Sequence, residues 1–338
     1  MRHQSAHATV SRPPIVVLCG STKFWEQFTE ATVYETVAGR IVLITLRPER
    51  LKLPMTWRTP RRIFIDSMSD LFHQDIPDTY IARVFAVMAL TPHHTYQVLS
   101  KRHGRMRSVL QDPCTCGNGH VPGTHFRSAM AWAVSKANPN RIPGVPEDAE
   151  QQVWNAAWPL PNVWLGVSVE DQKWADIRIP ALLGTPAAVR FLSCEPLLGP
   201  VNLKRAVITM GSERGHGLTA SYVHAAGCCE NGLHGIDWVI AGGESGPRAR
   251  PMHPQWARHL RDQCKWAGVP YFLKQWGEFA PEDHGHDRGR VALIDTQGRN
   301  WTERETPAPH DAVRMRRVGK PQAGRLLDGR HHDAAPAR

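Results

Sequence analysis

Acidic, basic and glycine residues follow six short apolar runs of this chain. The runs have the composition of strands buried on both faces, and they are Ile63–Ile65, Tyr96–Leu99, Val163–Val167, Val189–Leu192, Trp238–Ala241 and Tyr271–Leu273. The polar residues that follow them are Asp66, Ser67, Ser69, Asp70, Lys101, Arg102, Ser168, Glu170, Glu195, Gly242, Gly243, Glu244, Ser245, Lys274 and Gln275. Loops from the carboxyl ends of parallel strands converge, so these residues predict one shared ligand site.

The side chains in these clusters favour a polar, partly anionic ligand. Lys101, Arg102 and Lys274 can hold a phosphate or a carboxylate, whereas the acids can bind amines, hydroxyls or a metal ion. The glycine pair at 242 and 243 lets a backbone approach a ligand closely. Serine, aspartate and glutamate also cap helices, so any one cluster can be an ordinary cap. Six clusters in succession predict a site for a nucleotide or similar small ligand, without identifying a reaction.

Helical patterns alternate with the predicted strands and must position these clusters. Apolar residues at spacing three or four predict helices over residues 77–90, 171–183 and 254–267. A strand recurs roughly every thirty residues, which is the length of a βα unit. We therefore predict an α/β fold, namely a partial (β/α) TIM-type barrel of parallel strands.

Two segments interrupt this alternation. Residues 111–161 and 211–235 are rich in glycine and polar residues and predict two long loop insertions. A small β-rich tail is predicted over residues 278–330, with weak strand character at 291–294 and 312–318. Residues 1–14 and 331–338 are predicted to be disordered.

Composition and charge narrow the classes of function. The chain has 338 residues, of which 41% are hydrophobic, and no run reaches the roughly 20 apolar residues of a membrane span. The N-terminus lacks the apolar run of a signal peptide, so we expect a cytoplasmic protein without a membrane partner. The net charge of +10 includes basic clusters at 58–62, 101–107 and 314–320. These clusters indicate either a solvated basic surface or contact with nucleic acid.

Seven cysteines in such a chain do not indicate a disulfide framework. Cys194 and Cys264 lie in apolar surroundings and are predicted to be buried as small hydrophobic residues. Two loop groups have ligand types that zinc prefers, Cys114, Cys116, His120 and His125 in the first and Cys228, Cys229 and His234 in the second. The alternatives are a zinc site and unliganded loop cysteines.

Several longer segments of the chain carry distinctive sequence motifs, namely Arg47–Leu51, Trp57–Phe64, Ser67–His73, Trp158–Asp171, Ser193–Pro200, Gly242–Pro247, Lys274–Gly277 and Gly324–Arg330. These segments resemble an uncharacterised phage family named after gene products thirty-seven and sixty-eight. The resemblance covers most of residues 45–330. That family in turn resembles radical S-adenosylmethionine enzymes, which implies a partial barrel, an N-terminal three-cysteine motif, a [4Fe–4S] cluster and S-adenosylmethionine as cofactor.

The beginning of the chain departs from that family. Cys19 is the one cysteine before residue 114, and there is no Cys-x-x-Cys. Residues 15–43 instead resemble the start of nucleoside 2-deoxyribosyltransferase-like proteins, and there Gly20, Ser21 and Thr22 are predicted to form a nucleotide-binding loop.

We therefore interpret the chain as a chimera, with a foreign βα unit at residues 15–44 before a barrel body at 45–277. The interpretation of function is a ligand-binding barrel without the iron–sulfur motif. An active enzyme of phage nucleotide or nucleic-acid-base metabolism and a catalytically inactive partner protein remain alternatives.

The missing motif leads to a prediction about radical chemistry. After anaerobic reconstitution with iron and sulfide, the protein mixed with S-adenosylmethionine and dithionite should release no 5′-deoxyadenosine. Cleavage of the cofactor needs an electron from a cluster, and the three-thiolate motif that holds such a cluster is missing. Chromatography of the quenched reaction checks this, with a radical S-adenosylmethionine enzyme as positive control. Release above the level of a no-protein reaction would contradict the prediction.

Overall fold

The computed structural model describes residues 15–18, 42–43, 51–65, 70–111, 123–135, 144–203, 235–285, 288–301 and 309–337. The chain divides into two compact units. The first comprises Met1–Val98 and Thr124–Val163, and the second comprises Leu99–Gly123 and Trp164–Arg338.

The described strands and helices are numbered here in chain order. The strands are β1 (Ile15–Leu18), β2 (Val42–Leu43), β3 (Arg62–Ile65), β4 (Thr95–Ser100), β5 (Val163–Ser168), β6 (Val189–Cys194), β7 (Trp238–Gly242), β8 (Tyr271–Gln275), β9 (Phe279–Pro281), β10 (Val291–Ile294), β11 (Asn300–Trp301) and β12 (Val313–Arg317). The helices are α1 (Leu53–Thr56), α2 (Asp78–Leu90), α3 (His103–Gln111), α4 (Thr124–Ser135), α5 (Ala149–Asn155), α6 (Gln172–Leu183), α7 (Pro254–Ala267) and α8 (Lys320–Ala323). The six apolar runs and the three helical patterns are thus confirmed.

The first unit contains parallel strands in the order β2-β1-β3-β4. Strand β1 pairs with β3 along all four of its residues. Helix α2 buries Ile81, Val84, Phe85 and Met88, which is the stripe that the sequence predicts. The division of the chain near residue 44 stays a prediction.

The prediction of a long loop over residues 111–161 is wrong in its described parts. Helices α4 and α5 lie within this segment, and both pack against α2. Phe126 of α4 meets Phe85 edge to face, with ring centroids 5.3 Å apart. Because its buried residues recur at helical spacing, the segment forms helices despite the glycine- and proline-rich stretches beside them. The other predicted insertion, 211–235, lies outside the described residues except for Gly235.

The second unit contains parallel strands in the order β4-β5-β6-β7-β8, with the last residues of β4 belonging to it. Strands β5 and β7 are buried along their whole length, as strands covered on both faces must be. The parallel strands of the described residues form an open sheet and not a closed barrel. The prediction of a partial barrel is therefore confirmed at the level of a mixed α/β fold with parallel strands. A separate antiparallel sheet, in the order β11-β10-β12-β9, confirms the β-rich tail.

Local sequence signals end the helices beside these strands. The Asp171 carboxylate caps α6 by accepting a hydrogen bond from the Trp174 N–H at 3.0 Å. Helix α7 begins with Pro254 and ends at Gly268, whose φ of 69° is left-handed. The Asp171 cap thus ends the polar loop that follows β5, and Gly268 ends α7 before the chain enters β8.

The prediction of disorder after residue 331 is wrong for residues 331–337. The Leu273 N–H donates to the His332 carbonyl, and Phe272 forms an antiparallel bridge with Asp333. The Trp238 indole N–H donates to the Ala334 carbonyl at 2.8 Å. These backbone and indole groups would otherwise lack partners at the edge of the sheet, which explains why polar terminal residues pack there. In the described part of the chain, no helix combines the length and the apolar character needed to cross a membrane.

His94 is a buried histidine that joins three segments of the first unit. Its Nε2–H donates to the Pro54 carbonyl at 3.0 Å, and its Nδ1 accepts the Arg61 backbone N–H at 3.2 Å. The accepting nitrogen requires the neutral ring. Burial lowers the pKa of His94 to about 4, and the nearby positive charges of His93 and Arg61 lower it further, against the Pro54 hydrogen bond.

This arrangement makes the stability of the protein depend on pH. The unfolded chain takes up a proton at His94 near pH 6.5 and the folded chain near pH 4, so the free energy of unfolding should fall as the pH drops through that interval. His94→Gln keeps a donor for Pro54 but does not titrate, so its urea midpoint should vary less between these two pH values. The exposed His125→Gln on α4 is the matched control. Equal pH slopes for all three proteins would contradict the assignment.

Candidate functional site

The carboxyl ends of β5 and β6 place two glutamates at equivalent positions. Ser168 and Ser193 are paired in the parallel register, and Glu170 and Glu195 each follow two residues later. The chain after β6 also holds neighbouring strand ends together. There the Leu198 N–H donates to the Glu170 carbonyl at 2.8 Å, and the Leu197 N–H donates to the Gly242 carbonyl at 2.9 Å. The two carboxylates therefore belong to one local structure.

Glu170 forms a buried ion-paired cluster. Its carboxylate lies 2.9 Å from the Lys101 ammonium and 2.7 Å from the Arg178 guanidinium. Arg178 also donates to the Ser168 carbonyl at 2.8 Å, and its guanidinium lies 3.9 Å from the centre of the Trp174 ring. Lys101 is about half exposed, whereas Glu170 and Arg178 are buried. The cluster ties the end of β4 and helix α6 to the end of β5.

Glu195 forms a second cluster at the end of β6. The Lys274 ammonium lies 2.9 Å from one carboxylate oxygen, and the Gln275 side-chain amide donates to the other. Lys274 lies within β8, so its side chain reaches past β7 to Glu195 at the end of β6. A Cβ atom at Gly242 would lie 3.1 Å from this carboxylate, and the missing side chain leaves it room.

Glu244 forms a third pair after β7. The Arg250 guanidinium donates to both carboxylate oxygens at 2.8 and 2.9 Å, and the Arg250 backbone N–H adds a further hydrogen bond. The Arg250 side-chain hydrogen bonds lower the pKa of Glu244. The neighbouring Ser245 is exposed.

The glycine at 243 serves the packing of the protein itself. A Cβ atom there would lie 1.9 Å from the Trp276 carbonyl oxygen, which no side chain can tolerate. The backbone that approaches Gly243 closely is therefore that of the segment after β8. The space beside this glycine is filled by protein and is not left for a ligand.

The three glutamates are thus occupied, while donors remain on two cations. The Lys274 ammonium has three N–H donors, of which Glu195 takes one. The exposed Arg102 guanidinium has no carboxylate partner among the described residues. Groups available to a ligand at these strand ends are therefore predominantly cationic.

Burial changes the titration of two further groups near the clusters. Burial lowers the pKa of His103, and the positive charge of Arg178 lowers it too, against a hydrogen bond with the Lys101 carbonyl. Burial raises the pKa of the Cys194 thiol, as do the nearby Cys264 and Glu170. Cys194 and Cys264 are fully buried, as predicted, and their thiols stay protonated and unreactive.

Not every predicted site residue falls in this part of the chain. Asp70 belongs to the first unit, where its carboxylate accepts the Phe72 backbone N–H at 3.0 Å. The other predicted residues lie outside the described residues, namely Asp66, Ser67, Ser69, Gly20, Ser21 and Thr22. The structure therefore brings together the predicted residues at the carboxyl ends of β4 to β8, and their role as a ligand site stays a prediction.

The predicted metal ligands are described only in part. His125 is an exposed residue of α4, whereas Cys114, Cys116 and His120 lie outside the described residues, so the zinc prediction stays a prediction. Among the described residues, no group of three or more histidine, cysteine or acidic side chains could hold a metal ion. The two described cysteines are buried and do not supply the three thiolates of a [4Fe–4S] cluster.

Two arginines that organise the clusters are absent from the sequence prediction. Arg178 lies on the core-facing stripe of α6, three residues after Ala175 and four before Leu182. An arginine at such a position needs a buried acid, and this signal could have revealed it. Arg250 lies in a loop six residues after Glu244, where no periodic pattern indicates a partner.

Fold and site together define a mixed α/β protein with a parallel sheet and charge-paired polar residues at its carboxyl ends. The chain belongs to the family DUF5131, described as proteins of unknown function, which matches residues 18–336. The matched region begins within β1 and includes the segment that the sequence interpretation assigned to a foreign unit. No curated protein and no solved structure matches the chain.

The buried Glu170–Arg178 pair can be tested by a double-mutant cycle. Arg178→Met should lower the free energy of unfolding by about 3–5 kcal/mol, because it leaves the buried carboxylate without its main partner. The double variant Glu170→Gln/Arg178→Met should lose less free energy of unfolding than Arg178→Met does, since it leaves no charge buried. Denaturant unfolding checks both, with the exposed Arg330→Met as control. If the loss in the double variant equals the sum of the losses in Glu170→Gln and Arg178→Met, the two residues are not coupled and the prediction is wrong.

Proposed function

We propose that this protein binds a small anionic ligand of the nucleotide class at the carboxyl ends of β4 to β8. The observation that carries the proposal is the charge pairing within the site. Glu170, Glu195 and Glu244 are each neutralised by a lysine or an arginine of the protein, while donors remain on Lys274 and Arg102. A ligand that meets these donors needs acceptor oxygens, and a phosphate supplies them best.

The arrangement of the cations supports a ligand larger than a phosphate ion. Arg102 follows β4, whereas Lys274 lies within β8 and pairs with Glu195 at the end of β6. Neighbouring strands are about 4.8 Å apart, so the strands that carry the two cations are separated by more than one phosphate group spans. A phosphate joined to a sugar and a base has the required length. Crevices outside the carboxyl ends of parallel strands are where α/β proteins bind such ligands.

The carboxylates act in this proposal as supports for the cations. A lysine held by a glutamate has fewer conformations to lose when a ligand arrives, so less entropy opposes binding. Glu195 holds Lys274 in this way, and Glu170 holds Lys101. The proposal concerns binding and assigns no reaction.

Isothermal titration calorimetry with the four ribonucleoside monophosphates and the matching nucleosides tests this function. At least one monophosphate should bind, and its nucleoside should bind more weakly because it lacks the charged group. Lys274→Gln should weaken binding of that monophosphate about 10- to 100-fold, which corresponds to the loss of one charge-assisted hydrogen bond. Arg102→Gln should also weaken its binding.

Lys265 is an exposed lysine in the last turn of α7, away from these strand ends. Lys265→Gln removes an equal charge there and serves as the control. Thermal unfolding of each variant separates loss of binding from loss of fold. The proposal fails if no monophosphate binds. It also fails if Lys265→Gln weakens binding as much as Lys274→Gln does.

A further inference from the structure

The arginines of the second unit mostly have carboxylate partners. These arginines include Arg178, Arg250, Arg258, Arg261, Arg299, Arg314, Arg316, Arg317 and Arg325, and each lies within ion-pair distance of an aspartate or a glutamate. These nine described arginines are therefore neutralised within the second unit. An exception to this pattern lies in the first unit.

The exception is the turn between α1 and β3, which we name the basic turn and define as residues 57–62. It contains Trp57, Arg58, Arg61 and Arg62 and no acidic residue. Neither Arg58 nor Arg61 has a carboxylate partner among the residues that the structure describes. The described segments 51–65 and 91–97 lie beside each other and together contain no aspartate or glutamate.

A fixed framework holds the basic turn. The His93 ring nitrogen Nε2 lies 2.9 Å from the Trp57 carbonyl, and the Arg61 N–H donates to the buried His94 ring. The His93 and His94 rings have centroids 3.9 Å apart. Because these bonds join the turn to the segment before β4, its arginines are presented on an ordered backbone.

Arg61 and Trp57 form a flat, positively charged surface within this turn. The Arg61 guanidinium carbon lies 4.8 Å from the centre of the Trp57 ring, which is cation–π distance. The Arg61 Nε is buried without a hydrogen-bond partner among the described residues, so the terminal nitrogens of the guanidinium are the ones that a phosphate would meet. Arg58 is exposed next to this pair. Such a combination offers a plane for stacking a base and donors for the phosphates on either side of it.

The positive groups of the basic turn repel each other, and an anionic ligand would relieve this repulsion. Positive groups at short range repel each other, and carboxylates that would offset the repulsion are missing from the described neighbourhood. The lowered pKa of His94, to which burial contributes most, also reflects the positive charges of His93 and Arg61. A polyanion that binds here neutralises this charge and releases its own counterions.

We propose that the basic turn is a binding site for single-stranded nucleic acid. Arg58 and Arg61 contact successive phosphates, and the Arg61–Trp57 plane stacks against an unpaired base. A single strand is favoured over a duplex because its bases expose their faces, whereas a duplex offers mainly phosphates to so short a turn. The site belongs to the first unit and is independent of the nucleotide site proposed above.

Fluorescence anisotropy with a labelled oligothymidylate of about twelve nucleotides tests the proposal, using the full chain and a salt series from about 50 to about 200 mM. Arg58→Gln/Arg61→Gln should weaken binding at least about tenfold at the lowest salt. It should also flatten the slope of log affinity against log salt by about 1.4, the value for two lost phosphate contacts on a single strand.

The matched control removes charge elsewhere in the same unit. Arg83 is exposed on α2, so Arg83→Gln should leave the affinity and the salt slope close to those of the unaltered protein. Trp57→Leu should weaken binding of the oligonucleotide about five- to tenfold without changing the salt slope of the affinity, because stacking is not an ionic contact. Circular dichroism verifies that each variant is folded.

Three results would overturn the proposal. One is an equal loss of affinity in the Arg83 control and in the arginine double variant. Another is binding of a duplex of the same length as tightly as the single strand. The third is binding to vesicles containing phosphatidylserine with no binding to the oligonucleotide, which would assign the basic turn to a membrane surface.

Discussion

The second unit depends on the buried ion pair between Glu170 and Arg178. The carboxylate extends from the end of β5, and the guanidinium extends from the middle of α6, so the pair fixes the helix against the strand that precedes it. The same carboxylate holds Lys101 beyond the end of β4. A buried charge is tolerated only when its partners satisfy it, and here Ser168 and Lys101 complete that set. The orientation of the strand-end loops follows from this requirement.

The register of β5 and β6 carries this constraint to the neighbouring strand. Ser168 pairs with Ser193, so Glu170 and Glu195 leave the sheet at matching positions. Glu170 pairs with Lys101 after β4, and Glu195 pairs with Lys274 of β8. The backbone of Leu197 and Leu198 then joins the ends of β5, β6 and β7 by hydrogen bonds. Polar residues at these ends are therefore positioned by backbone geometry as well as by charge.

The two units treat their arginines differently. In the second unit many of the described arginines are held in internal ion pairs, so fewer of them are available to a partner. In the first unit, Arg58 and Arg61 have an aromatic ring and histidines as neighbours and lack carboxylates among the described residues. Net charge by itself does not reveal this difference, since it depends on which arginines meet an acid.

The sequence by itself determined the elements and the residues that end them. Six apolar runs predict the strands β3 to β8, and the stripe of Ile81, Val84, Phe85 and Met88 predicts α2, because burial of apolar side chains follows from local periodicity. Each polar cluster follows a predicted strand in the sequence, which also places the clusters at the carboxyl ends of the strands. Only the tertiary structure decided which of these polar residues pair.

The partners Glu195 and Lys274 are far apart in the chain, and no local pattern connects them. Tertiary contacts likewise turned part of the predicted loop at 111–161 into helices and brought residues 331–337 to the edge of β8. In each case the deciding energy lies in contacts between distant segments, where a buried charge or an unpaired backbone group must find a partner. Periodicity records which face of an element is buried, but it does not record what covers that face.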